Sequence, residues 1–307
     1  MITNFDSLFD LMKAFPNEQA CIDHLRSIRW RNGEFCPHCG SDRLYAFSDR
    51  RNWKCAEADC RKRFSIKVGT IFADSKLPLQ KWFMAIWMIT NHPKGIASTT
   101  LAKDLDITQK TAWFVLHRLR HAARTRSFNS AKKLRGKVEV DETYVGGKAI
   151  NKHGRRSGDG GGPGSKTPVI GAIERKGHVV ARVLDAASQS ELQRFIHEVV
   201  SPAAELLVTD AHPAYATLAG FPQHQVVNHS KGEYRKGDAH TNSIESVWAL
   251  LKRQIVGVHH WISPKHLDRY VGEMTFRLNR RELTVTERMN SLFAHVEGRL
   301  TYKALIA

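Results

Sequence analysis

Four of the chain's five cysteines fall in two close pairs, Cys36-Pro37-His38-Cys39 and Cys55-Ala56-Glu57-Ala58-Asp59-Cys60, with fifteen residues between them. A short turn lets two thiolates meet one tetrahedral ion, and a second turn completes the set. The pattern predicts a zinc ribbon over residues 31–74, with structural Zn²⁺ on Cys36, Cys39, Cys55 and Cys60. Trp53, Arg61–Phe64 and Ile66 read as strand residues around the second turn. Four spare thiols would be the competing explanation, but chance seldom clusters two pairs this closely. The odd total argues against a disulfide scaffold. Cys21, spaced with Leu25 and Ile28 on one helical face, reads as a small core residue.

Charge narrows the class of partner. The 307 residues carry 47 Lys and Arg against 30 Asp and Glu, a net +17, which points to a polyanion and first of all to nucleic acid. At 42% hydrophobic the chain can bury one sizeable core and a smaller one, which excludes wholesale disorder. The longest clear apolar run, Trp82 to Ile89, is far short of the ~18 residues that read as a membrane span. The opening MITNFDSLFD has no basic stretch of the signal-peptide kind, so a cytoplasmic protein is expected.

Residues 1–30 read as two short helices broken at Pro16, the second capped by Asn17. Residues 75–134 read as a helix-turn-helix DNA-binding domain. A first apolar helix (Trp82, Phe83, Ile86) ends at His92-Pro93, and two closely joined helices follow over residues 97–120. Leu101, Ala102 and Leu105 suit the earlier of that pair; Ala112, Val115, Leu116 and Leu119 form the buried stripe of the later. The same spacing fits an ordinary αα-hairpin. Charge favours DNA: between Ile107 and Val138 there are nine Lys and Arg and no acid, where a merely solvated surface mixes both signs. Gln109 and Lys110 fall at the start of the second helix, where base edges are read, and Arg118 and Arg120 follow as phosphate contacts.

From residue 135 the texture becomes α/β: a strand around VEVDETYV, a hairpin turning at Lys176-Gly177, a helix over 189–200, the apolar strand LLVTD, a short helix near Pro213, the strand HQVVNH, and a long helix from Ser243. That order predicts a mixed sheet flanked by helices over residues 135–290, followed by a tail, 291–307. Residues 154–164 hold six glycines with Arg155 and Arg156, a basic loop suited to backbone contact and lacking the Gly-Lys-Ser/Thr of a phosphate-binding loop.

In a chain this basic, acids at the ends of core strands need a reason. Asp141 lies on the first strand, Asp210 at the carboxyl end of an apolar strand, and Glu245 in the first turn of the long helix. Carboxylates from separate elements can hold two Mg²⁺ (or Mn²⁺), hard cations that clamp the attacking and leaving oxygens of phosphoryl transfer. Each acid has another reading. Asp141 competes with Glu139 and with Glu142, although Glu142 should point to the opposite face of the strand. Asp210 suits a helix cap before Pro213, and Asn242 to Glu245 fits a capping box. Their joint occurrence beside a DNA-binding segment favours the metal site. Lys252, seven residues after Glu245, falls on nearly the same helical face, with roughly 20° of drift.

The stretches CPHCG, FSIKVGTIFADSKLPLQKWF, DITQKTAWFVLHRLR, VEVDETYVGGK, TDAHPAYATL, HTNSIESVWALLKR and SPKHLDRYVGEMTFRLNRR together resemble the insertion-sequence transposases of the DDE type that carry an N-terminal zinc ribbon, the insertion-sequence family fifteen-ninety-five. The resemblance implies an RNase H-like catalytic core, Asp141, Asp210 and Glu245 as the metal-binding triad, and Lys252 as its basic follower. It implies His212, His229, Tyr234, His240 and Asn242 near the site as positioning residues. It also implies binding to terminal inverted repeats and target DNA, cleavage that frees a 3′-hydroxyl, in-line attack of that hydroxyl on target, and a homodimer or larger synaptic assembly at the bacterial nucleoid. The alternatives are a DNA-binding regulator derived from such an enzyme and a metal-dependent nuclease without strand transfer.

Overall fold

Ser7 accepts from the backbone N–H of Asp10, Asp10 answers back to Ser7, and this reciprocal cap starts α1 (Leu8–Ala14). Pro16 then separates it from α2 (Glu18–Arg29), which Asn17 caps through the N–H of Ala20. In this computed structural model the described residues are 4–124, 133–146, 166–228 and 237–307. They fall into two units, Met1–Arg126 with Arg280–Ala307, and Ser127–Asn279.

The first unit holds a small antiparallel sheet in the order β1 (Leu44–Ala46), β2 (Asn52–Cys55), β3 (Arg63–Ser65). Trp53 and Phe64 pair across β2 and β3 and are buried, with Ile66 just beyond. Cys21 is fully buried on α2, and burial pushes its thiol up to about 12, so it is an inert core residue. The apolar stripe of α3 (Leu79–Asn91) buries Trp82, Phe83, Ile86 and Ile89. Helices α4 (Ser98–Asp104) and α5 (Gln109–Arg124) meet at a tight turn in which Asp106 takes a positive φ, and Ala112, Val115, Leu116 and Leu119 form the buried face of α5. The chain's last segment packs into this unit. On α9 (Val285–Phe293), Phe293 lies 4.5 Å from the ring of Phe83, and Thr286 accepts from the N–H of Phe5. Arg29 pairs with Glu297, and Ile71 N–H donates to the carbonyl of Val296. Helix α10 (Tyr302–Ile306) closes the chain.

The second unit is a five-stranded mixed sheet with helices on both faces. Strands β4 (Lys137–Val145), β5 (Thr167–Glu174), β6 (Val179–Val183), β7 (Leu206–Asp210) and β8 (His224–Val227) lie in the order β6-β5-β4-β7-β8. β5 runs antiparallel to both β4 and β6; β7 runs parallel to β4, and β8 parallel to β7. Alternation along β4 assigns its faces. Val138 and Val140 pack with Leu192, Phe195 and Ile196 of α6 (Gln189–Val199), while the opposite face of the sheet packs on α7 (Asn242–Gln254) and α8 (Pro264–Leu278) through Ile244, Trp248, Leu251, Val271 and Met274.

Helix α7 starts where β4 supplies an acid. Its cap residue is Thr241, whose side chain makes no capping bond, so the capping box that is the alternative reading of Asn242 and Glu245 does not form. The first-turn N–H groups of Ser243 and Ile244 donate instead to Oε2 of Glu139, 2.7 and 3.1 Å away, and Ser243 Oγ and Arg175 Nε donate to Oε1. Glu139 is fully buried, and a charge there is sustained by these donors and by the positive end of the helix. Glu139 therefore caps α7 and ties its first turn to the sheet.

Candidate metal centres

Strand β4 pairs with β7 only from Lys137 to Glu139, opposite Leu206 to Val208, whereas β7 continues beside β8 as far as Asp210. Past Glu139 the two parallel strands no longer pair, and three carboxylates gather there. Asp141, Glu142 and Asp210 each offer an oxygen, and these oxygens all lie within 4.8 Å of one another. Asp141 belongs to the α7 face, where Trp248 Nε1 donates to its Oδ2 at 3.0 Å. Glu142 belongs to the α6 face, as alternation requires, and Tyr215 Oη donates to its Oε2 at 2.7 Å. Its longer side chain nonetheless reaches the common point. The backbone N–H of His212 donates to Asp210 Oδ1, and Nδ1 of His212 accepts from the N–H of Ala214. This leaves His212 Nε2 directed to Glu142 Oε1 at 3.9 Å.

Burial pushes the Asp141 carboxyl up to about 7, with the charges of Glu142 and Asp210 adding to the effect and the Trp248 hydrogen bond opposing it. Glu142 is raised for the same first reason, against the Tyr215 hydrogen bond. Tyr215, buried against Glu142, is raised well beyond the ordinary phenol range. Three crowded acids, two of them reluctant to ionise, form a hard-oxygen donor set whose repulsion a divalent cation removes, so these residues fit Mg²⁺ or Mn²⁺.

Glu245 lies outside this group. It is exposed in the first turn of α7 and accepts from Thr241 Oγ1 at 2.8 Å, three residues from the Trp248 that holds Asp141. Lys252 is exposed further along α7. His240 Nδ1 sits 3.3 Å from Glu139 Oε1, and Asn242 is exposed at the start of α7, so these two flank the α7 cap; His229 and Tyr234 lie outside the described residues. Sequence reasoning passed over Tyr215, Trp248 and Gly171. Alternation along β4 places Glu142 on the face opposite Asp141, as observed; that its side chain still meets the other two acids is visible only in the fold.

The second centre is sulfur. The Sγ atoms of Cys36, Cys39, Cys55 and Cys60 all lie within 4.8 Å of one another, with Cys36 to Cys60 at 3.8 Å and Cys39 to Cys55 at 3.5 Å. Four thiolates about 2.3 Å from one tetrahedral Zn²⁺ stand about 3.8 Å apart, so the set fits that ion despite the wider second pair. Burial acts to raise the Cys36 thiol, but backbone N–H donors from His38 and Cys39 bring it below its ordinary value.

The expected DNA contacts divide. Gln109 and Lys110 are exposed at the start of α5; Gln109 donates to Ser98 Oγ, and Lys110 lies over the ring of Tyr302. Arg118 and Arg120 correct the expectation, because both are buried. Arg118 donates to the carbonyls of Ile71 and Ala73 and stacks on Phe114. The two flank Leu119 on either side of the apolar stripe, and they are buried because α5 is covered all round from Val115 to Arg120, where a guanidinium serves the fold. Arg155 and Arg156 lie outside the described residues.

Comparison with known proteins adds relatives to this geometry. Residues 133–279 match the ISXO2-like transposase domain, and residues 16–63 the transposase zinc-ribbon domain. An uncharacterized protein in transposable element ISH50 of Halobacterium salinarum is 29% identical over 287 residues, spanning 87% of this chain and 92% of the relative. Among solved structures, a chain of the simian T-cell lymphotropic virus intasome in complex with PP2A regulatory subunit B56 gamma is similar at 15% identity and a TM-score of 0.28; the match covers 59% of this chain and 62% of that one. A pre-cleavage Mos1 transpososome is similar at 12% identity and a TM-score of 0.21, over 67% and 75% of the two chains.

Proposed function

The chain belongs to the insertion-sequence transposases that join a transposase zinc-ribbon domain to an ISXO2-like transposase domain, and from this premise we propose that it cuts DNA at its element's ends and joins the freed 3′-hydroxyls to target DNA. The observation that carries the reading is the meeting of Asp141, Asp210 and Glu142 at the open end of the β4–β7 pair, inside the transposase domain. Three antiparallel strands followed by two parallel ones, with helices on both faces, support an RNase H-like core.

Asp141 and Asp210 would hold the divalent cations, Mg²⁺ or Mn²⁺ and two per site, and Glu245 joins them from α7 when DNA is bound. The cations supply charge neutralisation for phosphoryl transfer. The protein's own part is positioning: Trp248 fixes Asp141, His212 N–H fixes Asp210, and Lys252 meets a phosphate beside the site. The four cysteines hold structural Zn²⁺. Helices α4 and α5 act as a helix-turn-helix, with Gln109 and Lys110 toward the terminal inverted repeats, while Arg155 and Arg156 contact backbone. The net charge of +17 supports a DNA partner. Holding two element ends at once requires a homodimer or larger assembly, acting in the cytoplasm on nucleoid DNA.

The test is Asp210→Asn on duplexes bearing the element's ends. Specific binding should persist while Mg²⁺-dependent cleavage falls at least about 10²-fold. Cleavage absent from the unaltered protein as well would make it a DNA-binding regulator. Cleavage without joining of a pre-cut end to target would make it a nuclease.

A further inference from the structure

Glu142 is the carboxylate that no regular strand would deliver to its neighbour's site. Asp141 and Glu142 leave β4 on opposite faces, one toward Trp248 and the other toward Tyr215. Glu142 continues the face of β4 that Val138 and Val140 turn into the apolar α6-side core, the core that also holds Tyr215. The Glu142 side chain is only 7% exposed, and its neighbours within the group are two more acids. As a purely structural residue it would raise the energy of the fold three ways: by burial, by repulsion, and by using one hydroxyl where a carboxylate accepts several donors.

Resting on the reading of this group as a divalent-metal site, we propose that Glu142 is itself a metal ligand and that Tyr215 is the positioning residue committing it to the site. Tyr215 is 1% exposed, rooted in the α6-face core beside Ala214, so its hydroxyl is fixed by packing. Its 2.7 Å hydrogen bond holds Oε2 of Glu142 and so restrains the side chain whose carboxylate meets Asp141 and Asp210. His212 Nε2 lies 3.9 Å from Glu142 Oε1, and with Nδ1 occupied by Ala214 N–H it is Nε2 that carries the proton facing the carboxylate. One short segment, Asp210 to Tyr215, thereby provides a ligand and the device that orients a second ligand on β4. The site has three carboxylates before Glu245 of α7 takes any part.

Mn²⁺ binding to the full-length, zinc-loaded protein without DNA tests this, read by electron paramagnetic resonance and calorimetry. Glu142→Gln should weaken Mn²⁺ roughly 10-fold or more, and Tyr215→Phe 10–100-fold at unchanged stoichiometry, the range for residues that orient a metal ligand. Glu142→Asp should retain more affinity than Glu142→Gln. Zinc content and thermal midpoint report folding for each variant. A Tyr215→Phe protein that melts earlier yet binds Mn²⁺ as tightly would make the tyrosine structural only. Unchanged Mn²⁺ affinity in Glu142→Gln, with affinity lost in Asp210→Asn, would overturn the ligand role while leaving the metal site standing. An unaltered protein that binds no Mn²⁺ would overturn the metal site and this inference together.

Discussion

Gly171 shows how closely the acidic site is built. It is the β5 register partner of Asp141, and a Cβ there would fall 2.6 Å from the Trp248 ring. Trp248 can approach this strand closely enough to reach Asp141 only because the position has no side chain. Gly171→Ala should displace the indole, cost about 1–3 kcal/mol in urea unfolding, and lower cleavage more than DNA binding. The raised Asp141 carboxyl has a second consequence. Its folded value of about 7 lies above the ordinary 3.8, so between those limits the folded protein holds a proton that the unfolded chain has released. Its contribution to stability is therefore greatest below pH 4 and is lost as pH rises toward 7. Unfolding measured at pH 5 and pH 8 without added Mg²⁺ should show a fall that is smaller in Asp141→Asn, and added Mg²⁺ should recover stability at the higher pH. Equal pH dependence in both proteins would remove burial of Asp141 as the cause.

At the scale of elements, α7 carries no cap of its own and depends on β4 for one. Its first-turn N–H groups end on Glu139, whose other oxygen takes Arg175 and Ser243 Oγ. A helix fixed this way keeps Trp248 Nε1 on Asp141. Glu139→Gln retains the shape but removes the charge facing Arg175 and the helix terminus, and should cost about 1–3 kcal/mol. The informative comparison is between stability and activity. Cleavage by the Glu139→Gln protein, measured well below its melting temperature, should fall through loss of kcat with DNA affinity nearly unchanged, because Glu139 positions a helix and meets no phosphate.

For the whole molecule, residues 280–307 belong with the N-terminal unit and not with the sheet they follow in sequence. Arg29 with Glu297, Ile71 with Val296, and Phe83 with Phe293 tie that segment into the unit holding the ribbon and α3 to α5. Removing residues 285–307 should therefore expose residues 4–124 to limited proteolysis, leave the sheet unit resistant, and abolish binding to the element's ends. Protection of both units in the truncated protein would show that the contacts contribute little.

What the sequence determined alone was local or compositional. Two cysteine pairs announced the ribbon because a metal knuckle is a short-range pattern, and a residue period of two placed Val138 and Val140 opposite Glu139 and Asp141 on β4. The periodic apolar positions of α3 and α5 fixed their buried faces. Tertiary structure alone decided which acids meet, because the parting of β4 from β7 after Glu139 is a property of two strands more than sixty residues apart. It also decided that Arg118 and Arg120 point inward, since a run of basic residues specifies charge and not the side of a helix that packing covers. The same holds for Tyr215 and Gly171, whose roles exist only against residues brought to them by the fold.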